Sequence, residues 1–256
     1  MRSRSFGASF KGILGGLILV AASATYAGEY LSGAADYIYS PTVEEGEREI
    51  DAKFGTQTPK GAEDPRQSGA SIGFGYGVNS WWFTEVYGKA QWESNNASFD
   101  AVEWENKFQL TETGKYPVDV GLLLELERPQ NRNEGYEAKY GVLLQSEWRK
   151  WQANLNLLMQ GHYTGTENQG TYFGYQGQLK YRLQQELELG AQLYSWLGQV
   201  NNWNTNQQQE TSAGPAVFGK TKLGNKQALV YNAAYLWGTT AASPKNTIRL
   251  QVEYEF

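Results

Sequence analysis

A chain of 256 residues without a cysteine cannot be stapled by disulfides, so its stability must come from a large core or from a sheet that closes on itself. Its formal charge of −5 argues against nucleic acid as a partner. Aromatic residues make up 14% of the chain, with nine Trp and seventeen Tyr, yet mean hydropathy is polar at −0.58. A transmembrane β-barrel reconciles these facts, because its lipid-facing positions are apolar and aromatic while the alternating lumen positions are polar.

The N-terminus reads as an export signal. Arg2, Arg4 and Lys11 give a cationic start, 13–22 is an apolar run broken only by glycines, and Thr25-Tyr26-Ala27 ends it like a cleavage site. The run is too short to span a bilayer comfortably, so 1–27 is expected to be a removed signal peptide. Its loss takes Lys+Arg from 22 to 19 against 27 Asp+Glu, for a mature charge of −8. The irregular stretch 28–45, ending in Pro41-Thr42-Val43-Glu44-Glu45, is expected to be a periplasmic lead-in, a plug inside the barrel being the weaker alternative because eighteen residues would make a small one, and 46–256 the barrel.

From 46 onward the pattern alternates with period two, as a strand with one wet and one apolar face requires. In 46–54, Ile50, Ala52 and Phe54 oppose Glu47, Glu49, Asp51 and Lys53. In 68–78, Gly73, Gly75 and Gly77 oppose Ile72, Phe74 and Tyr76. In 81–92, Trp82, Val86 and Trp92 oppose Glu85, Tyr87 and Lys89, and Trp at both ends of one face suits two interfacial girdles. The next segment, 99–110, sets Val102, Trp104, Phe108 and Leu110 against Glu103, Glu105, Lys107 and Gln109, with Asn106 a polar intruder on the apolar face. Segments 118–127 and 136–147 continue it, carrying Glu125 and Glu127, then Glu137 and Lys139, on their polar faces. Further strands are expected at 152–162, 172–183, 187–197, 211–221, 227–237 and 245–256, the fourth weakened by Pro215. The fold class is therefore all-β, a transmembrane antiparallel up-and-down β-barrel of about twelve strands. Connections after odd strands are mostly long and polar and those after even strands mostly short, a sorting that a soluble β-sandwich does not predict.

In the last nine residues Ile248, Leu250, Val252, Tyr254 and Phe256 alternate with Arg249, Gln251, Glu253 and Glu255. This stretch resembles the terminal strand of bacterial outer-membrane β-barrels. The resemblance implies an outer-membrane location, lipid contact, and recognition of Tyr254 and Phe256 by the barrel assembly machinery. It covers nine residues and names no particular barrel.

Catalytic and metal chemistry find little support. Outer-membrane phospholipase, a twelve-stranded barrel, carries His and Ser two residues apart, whereas the single histidine here, His162, is followed at that spacing by Thr164. With no Cys, one His and two Met, only carboxylates remain as metal ligands, and neither metal nor cofactor is expected. The chain therefore reads as a non-enzyme, with an acyl hydrolase as the remote third choice. The polar strand faces, in which acidic residues outnumber basic ones, must line an interior, since charges face lipid at high cost. Glu85, Glu105 and Glu125 fall at similar heights above the periplasmic turns in antiparallel register, with Glu103 nearby and Lys89, Lys139 and Arg249 as partial neutralisers. These residues are expected to form an acidic lumen constriction favouring a small cationic or neutral hydrophilic solute. The alternative is a non-conducting structural or partner-binding barrel.

Overall fold

The structure is a computed structural model that describes residues 34–61, 65–93, 96–166, 170–184, 186–224 and 227–256. The expected signal peptide lies outside them. Thirteen strands follow one another: β1 Arg48–Thr58, β2 Gln67–Asn79, β3 Trp82–Glu93, β4 Asn96–Gln109, β5 Asp119–Pro129, β6 Gly135–Trp148 and β7 Trp151–Thr164. The series ends with β8 Thr171–Gln184, β9 Leu187–Gln199, the two-residue β10 Asn202–Trp203, β11 Glu210–Lys222, β12 Ala228–Gly238 and β13 Asn246–Glu255. All pairings are antiparallel between neighbours. β8 pairs with β9, and β13 pairs with β1, so twelve strands close into a barrel and β10 is a flap paired only with the end of β9. Closure removes the sheet edges that would otherwise invite aggregation.

Side-chain burial is inverted relative to a soluble protein. Ile72, Phe74, Val86, Trp104, Leu122 and Leu250 are exposed, while Asp51, Glu85, Glu105, Glu125 and Asn156 are fully enclosed. At about 25 cal/mol per Å² such an apolar exterior would be costly in water, and it is the lipid-facing belt of an outer-membrane barrel. Aromatic rings gather at both ends: beside the long loops Phe173 stacks on Trp203 and Tyr235 meets Trp237 edge-on, and at the end bearing the short turns Trp81 and Trp82 both stack on Phe108 and Trp151 packs edge-on against Tyr181. Tyr254 and Phe256 stack there too, and the Phe256 amide donates to the Arg48 carbonyl at 2.8 Å, which seals the seam. The intruding Asn106 is buried on the apolar face, because the Trp82 indole lies over it and donates to its Oδ1 at 3.0 Å.

The connections sort as expected, with 94–95 short on the long-loop side and 110–118 long on the short-turn side as exceptions. β1 runs to Thr58, beyond the expected 46–54, because Gly55 to Gln57 pair with both β2 and β13. Pro215 sits inside β11. It keeps its register with Ala191 of β9, but no pairing with β12 forms at Gly214 and Pro215, where the missing N–H interrupts the ladder.

Candidate functional site

The lumen is built from one parity of each strand. In β3, β4 and β5 the register sets Glu85 opposite Glu105 and Glu105 opposite Glu125, and Glu125 in turn opposes Lys139 of β6. The three carboxylates thus stand side by side at one height, almost wholly enclosed. One step toward the long loops, Glu103 opposes Glu127. Like charges at this spacing are held only if cations and donors satisfy them. Lys89 supplies this to Glu103 at 3.1 Å and Glu127 at 2.5 Å, and Lys139 to Glu125 at 2.7 Å. Lys53 lies 3.4 Å from Asp51, whose other oxygen-bound donors are Tyr87 and Gln251. Oxygens of Glu103, Glu105 and Glu125 lie within 4.8 Å of one another, but the lysines and two tyrosines already occupy this cluster. His162 faces Glu137, with Nε2 3.0 Å from its carboxylate.

The tyrosines come from the segment expected to be a periplasmic lead-in. Over its described residues, 34–45, it runs inside the barrel, and that expectation is corrected. Tyr37 donates its hydroxyl to both oxygens of Glu105 at 2.9 Å, and Tyr39 donates to Glu125. Asn156 of β7 bonds the backbone of Tyr39 twice, accepting from its N–H at 2.8 Å and donating to its carbonyl at 3.0 Å. Nearer the short-turn mouth, Ser40 donates to Gln145 and the Val43 amide donates to Gln109. Asp36 approaches Lys139 to 3.6 Å, and its carbonyl accepts from Arg249. Arg249 therefore stands apart from the carboxylate row, its guanidinium 3.6 Å from the Tyr194 ring centroid.

The segment fills the cross-section because it is apolar on two sides. Ile38 packs on Tyr194, Phe218, Ala234 and Leu236 of one wall, and Tyr39 on Leu123, Leu143 and Leu158 of the other. Two glycines mark its track. A Cβ at Gly55 would lie 1.7 Å from the Ala34 carbonyl oxygen, and one at Gly121 would lie 2.9 Å from the Cβ of Pro41. The signals that could have found it were the Tyr37-Ile38-Tyr39 triplet, and Leu123, Leu143 and Leu158 at lumen parity where the strands are otherwise polar.

Next round the wall from the carboxylates, β6 to β9 present amides. Gln152 and Asn154 donate to Gln145, Gln178 donates to Asn154, and Gln192 donates to Gln178. Each amide carries both donor and acceptor, so this chain satisfies itself without ions. Two cavities of about 30 and 40 Å³ flank Asp36 in the outer half of the lumen, room for a few waters each. The first is lined by Lys53, Lys89, Lys139 and Glu103, the second by Tyr194, Trp196, Glu210 and Arg249.

The sequence matches no protein-family model and no curated protein. Solved structures match the fold. An outer-membrane channel from Pseudomonas putida F1 superposes with a TM-score of 0.55 at 14% identity, over 86% of this chain and 97% of its own. The NanC porin gives 0.54 at 9% identity over 81% and 98%, and the translocator domain of the autotransporter NalP from Neisseria meningitidis gives 0.54 at 12% over 88% and 91%. At these identities the likeness is one of architecture: the chain has the closed β-barrel fold of bacterial outer-membrane proteins.

Proposed function

We propose that the barrel is a passive outer-membrane channel for small hydrophilic solutes, with a preference for cations. The observation that carries this reading is the row Glu85, Glu105 and Glu125, three carboxylates at one depth of an enclosed lumen. Rings of acidic side chains lower the energy of a cation in transit and raise that of an anion. Glu103 extends the row outward, and Lys89 and Lys139 offset part of its charge. The fold likeness to an outer-membrane channel and to porins supports the channel part of the reading.

Reversal potentials in planar bilayers under a salt gradient test it. Cation preference is expected for the native protein and its loss for the E85Q/E105Q/E125Q triple variant; anion preference, or a potential indifferent to the three changes, refutes it. The filled lumen favours a second reading, a structural barrel that passes nothing. Absence of conductance under every condition would select that one.

A further inference from the structure

We infer that residues 34–45 are a gate, a stretch of the chain's own backbone that closes the channel when seated and opens it when withdrawn. This rests on the channel reading above.

The way the segment is held suits withdrawal. It adds no strand to the sheet: the twelve-stranded ladder closes through β1 with β13 and β8 with β9, so release breaks no inter-strand pairing. Its attachment to β1 is a single turn of exposed residues at Glu44, Glu45 and Gly46. Gly46 adopts φ +79°, a left-handed conformation that glycine takes without penalty, and its amide is pinned to the Gly77 carbonyl at 2.8 Å. The described segment is therefore tied to the barrel wall at a fixed pivot at one mouth.

The walls also survive its departure. Lys89 keeps Glu103 and Glu127, and Lys139 keeps Glu125, whether or not the tyrosines are present. Beyond the apolar seats of Ile38 and Tyr39 and the approach of Asp36 to Lys139, what the segment adds is polar and specific: Tyr37 on Glu105, Tyr39 on Glu125, Ser40 on Gln145 and the Tyr39 backbone on Asn156. Water can replace each of these as the segment leaves, and two small cavities already bring space alongside it. The same carboxylates that would attract a cation hold the gate shut through tyrosine hydroxyls, so seating the gate and passing a cation compete for Glu105 and Glu125. Gly55 and Gly121 have no side chain where the segment's backbone passes, which leaves its seat open within an otherwise filled wall.

The absence of native cysteine gives a clean test. In the full chain, Y37F/Y39F removes the two hydroxyls while keeping the rings, and P41C/G121C in that background adds a lock. The Cβ of Pro41 lies 2.9 Å from the position of a Cβ at Gly121, and an outward shift of under about 1 Å brings the pair to disulfide spacing. Heat-modifiable migration in gels confirms that each variant is a folded barrel, and single-channel recording reads the gate. Y37F/Y39F is expected to raise open probability roughly tenfold or more over the native protein, since hydrogen bonds to charged groups are among the stronger ones. Oxidation of the cysteine pair should return it to the native level, and reductant should restore it.

Equal, non-zero conductance of native and Y37F/Y39F barrels would overturn the gate and leave the channel standing. So would a raised conductance that oxidation of the confirmed disulfide does not lower. Silence of every folded variant, oxidised or reduced, would overturn gate and channel together.

Discussion

The two sides of this lumen solve the same problem in different ways. From β1 to β6 the wall is ionic, and several buried carboxylates depend on a specific lysine or tyrosine, as Glu103 and Glu127 depend on Lys89 and Glu125 on Lys139 and Tyr39, while one oxygen of Glu85 has no hydrogen-bond partner among the described residues. From β6 to β9 the wall is mixed: Gln145, Gln152, Asn154, Gln178 and Gln192 satisfy one another in a chain of amides, beside the charged contacts of His162 with Glu137 and of Lys180 and Arg182 with Glu188. An ion has one sign and needs a partner of the other; an amide offers both functions and can rotate to find them. The carboxylate row is therefore specific and brittle, the chain of amides tolerant and uncharged. A segment lying between them is held by both: its tyrosine hydroxyls bond the first, while the Tyr39 backbone, through Asn156, and the Ser40 hydroxyl, through Gln145, bond the second.

The largest expected effect breaks the ionic side. Lys139→Met leaves Glu125 and Asp36 facing no ammonium, and stranding a buried charge costs about 3–5 kcal/mol. Urea unfolding in detergent micelles should show a midpoint well below the native one, and an unchanged midpoint would mean that this wall is better solvated than its burial indicates. An intermediate effect comes from the amide side. Asn154→Leu removes two accepted bonds, from Gln152 and Gln178, and one donated to Gln145. Because the neighbouring amides can re-pair, the loss should stay within about 1–3 kcal/mol in the same assay, below that of Lys139→Met. The smallest effect sharpens the contrast. Gln176 is buried with both amide ends lacking a hydrogen-bond partner among the described residues, so Gln176→Leu should be neutral or slightly stabilising. A large loss there would show that the amide wall is as exacting as the ionic one.

The barrel was legible in the residues because alternation is a local property. Strand after strand carries apolar and charged positions at period two, and a closed sheet in lipid leaves no other place for either set. Antiparallel pairing of neighbouring strands then brings Glu85, Glu105 and Glu125 to similar heights, and the register sets them side by side. Pro215 blurred one strand because its effect depends on which neighbour loses a donor, and that is set by β9 and β12. The segment 34–45 reads as a lead-in before it reads as a plug for a related reason. Its hydrogen bonds reach β4, β5, β6, β7 and β13, none of them near in sequence, and it is too short and irregular to show a period. Arg249 illustrates the limit: its parity places it in the lumen, but only the fold shows that it serves the segment and not the carboxylate row.

The seam between β1 and β13 bears on how the molecule is made. Glu49 pairs with Glu255 and Thr58 with Asn246, so the cylinder cannot be completed until the final strand is present, a contact between distant parts of the chain and hence a slow one. The plug is joined to β1, one lip of that seam, through a single turn. An open curl of twelve strands would let the plug settle sideways onto the inner wall, whereas a finished cylinder would admit it only lengthwise, through a mouth. The order of two late events, docking of the segment and zipping of the seam, thus decides whether the lumen is filled by folding around its contents or by threading afterwards.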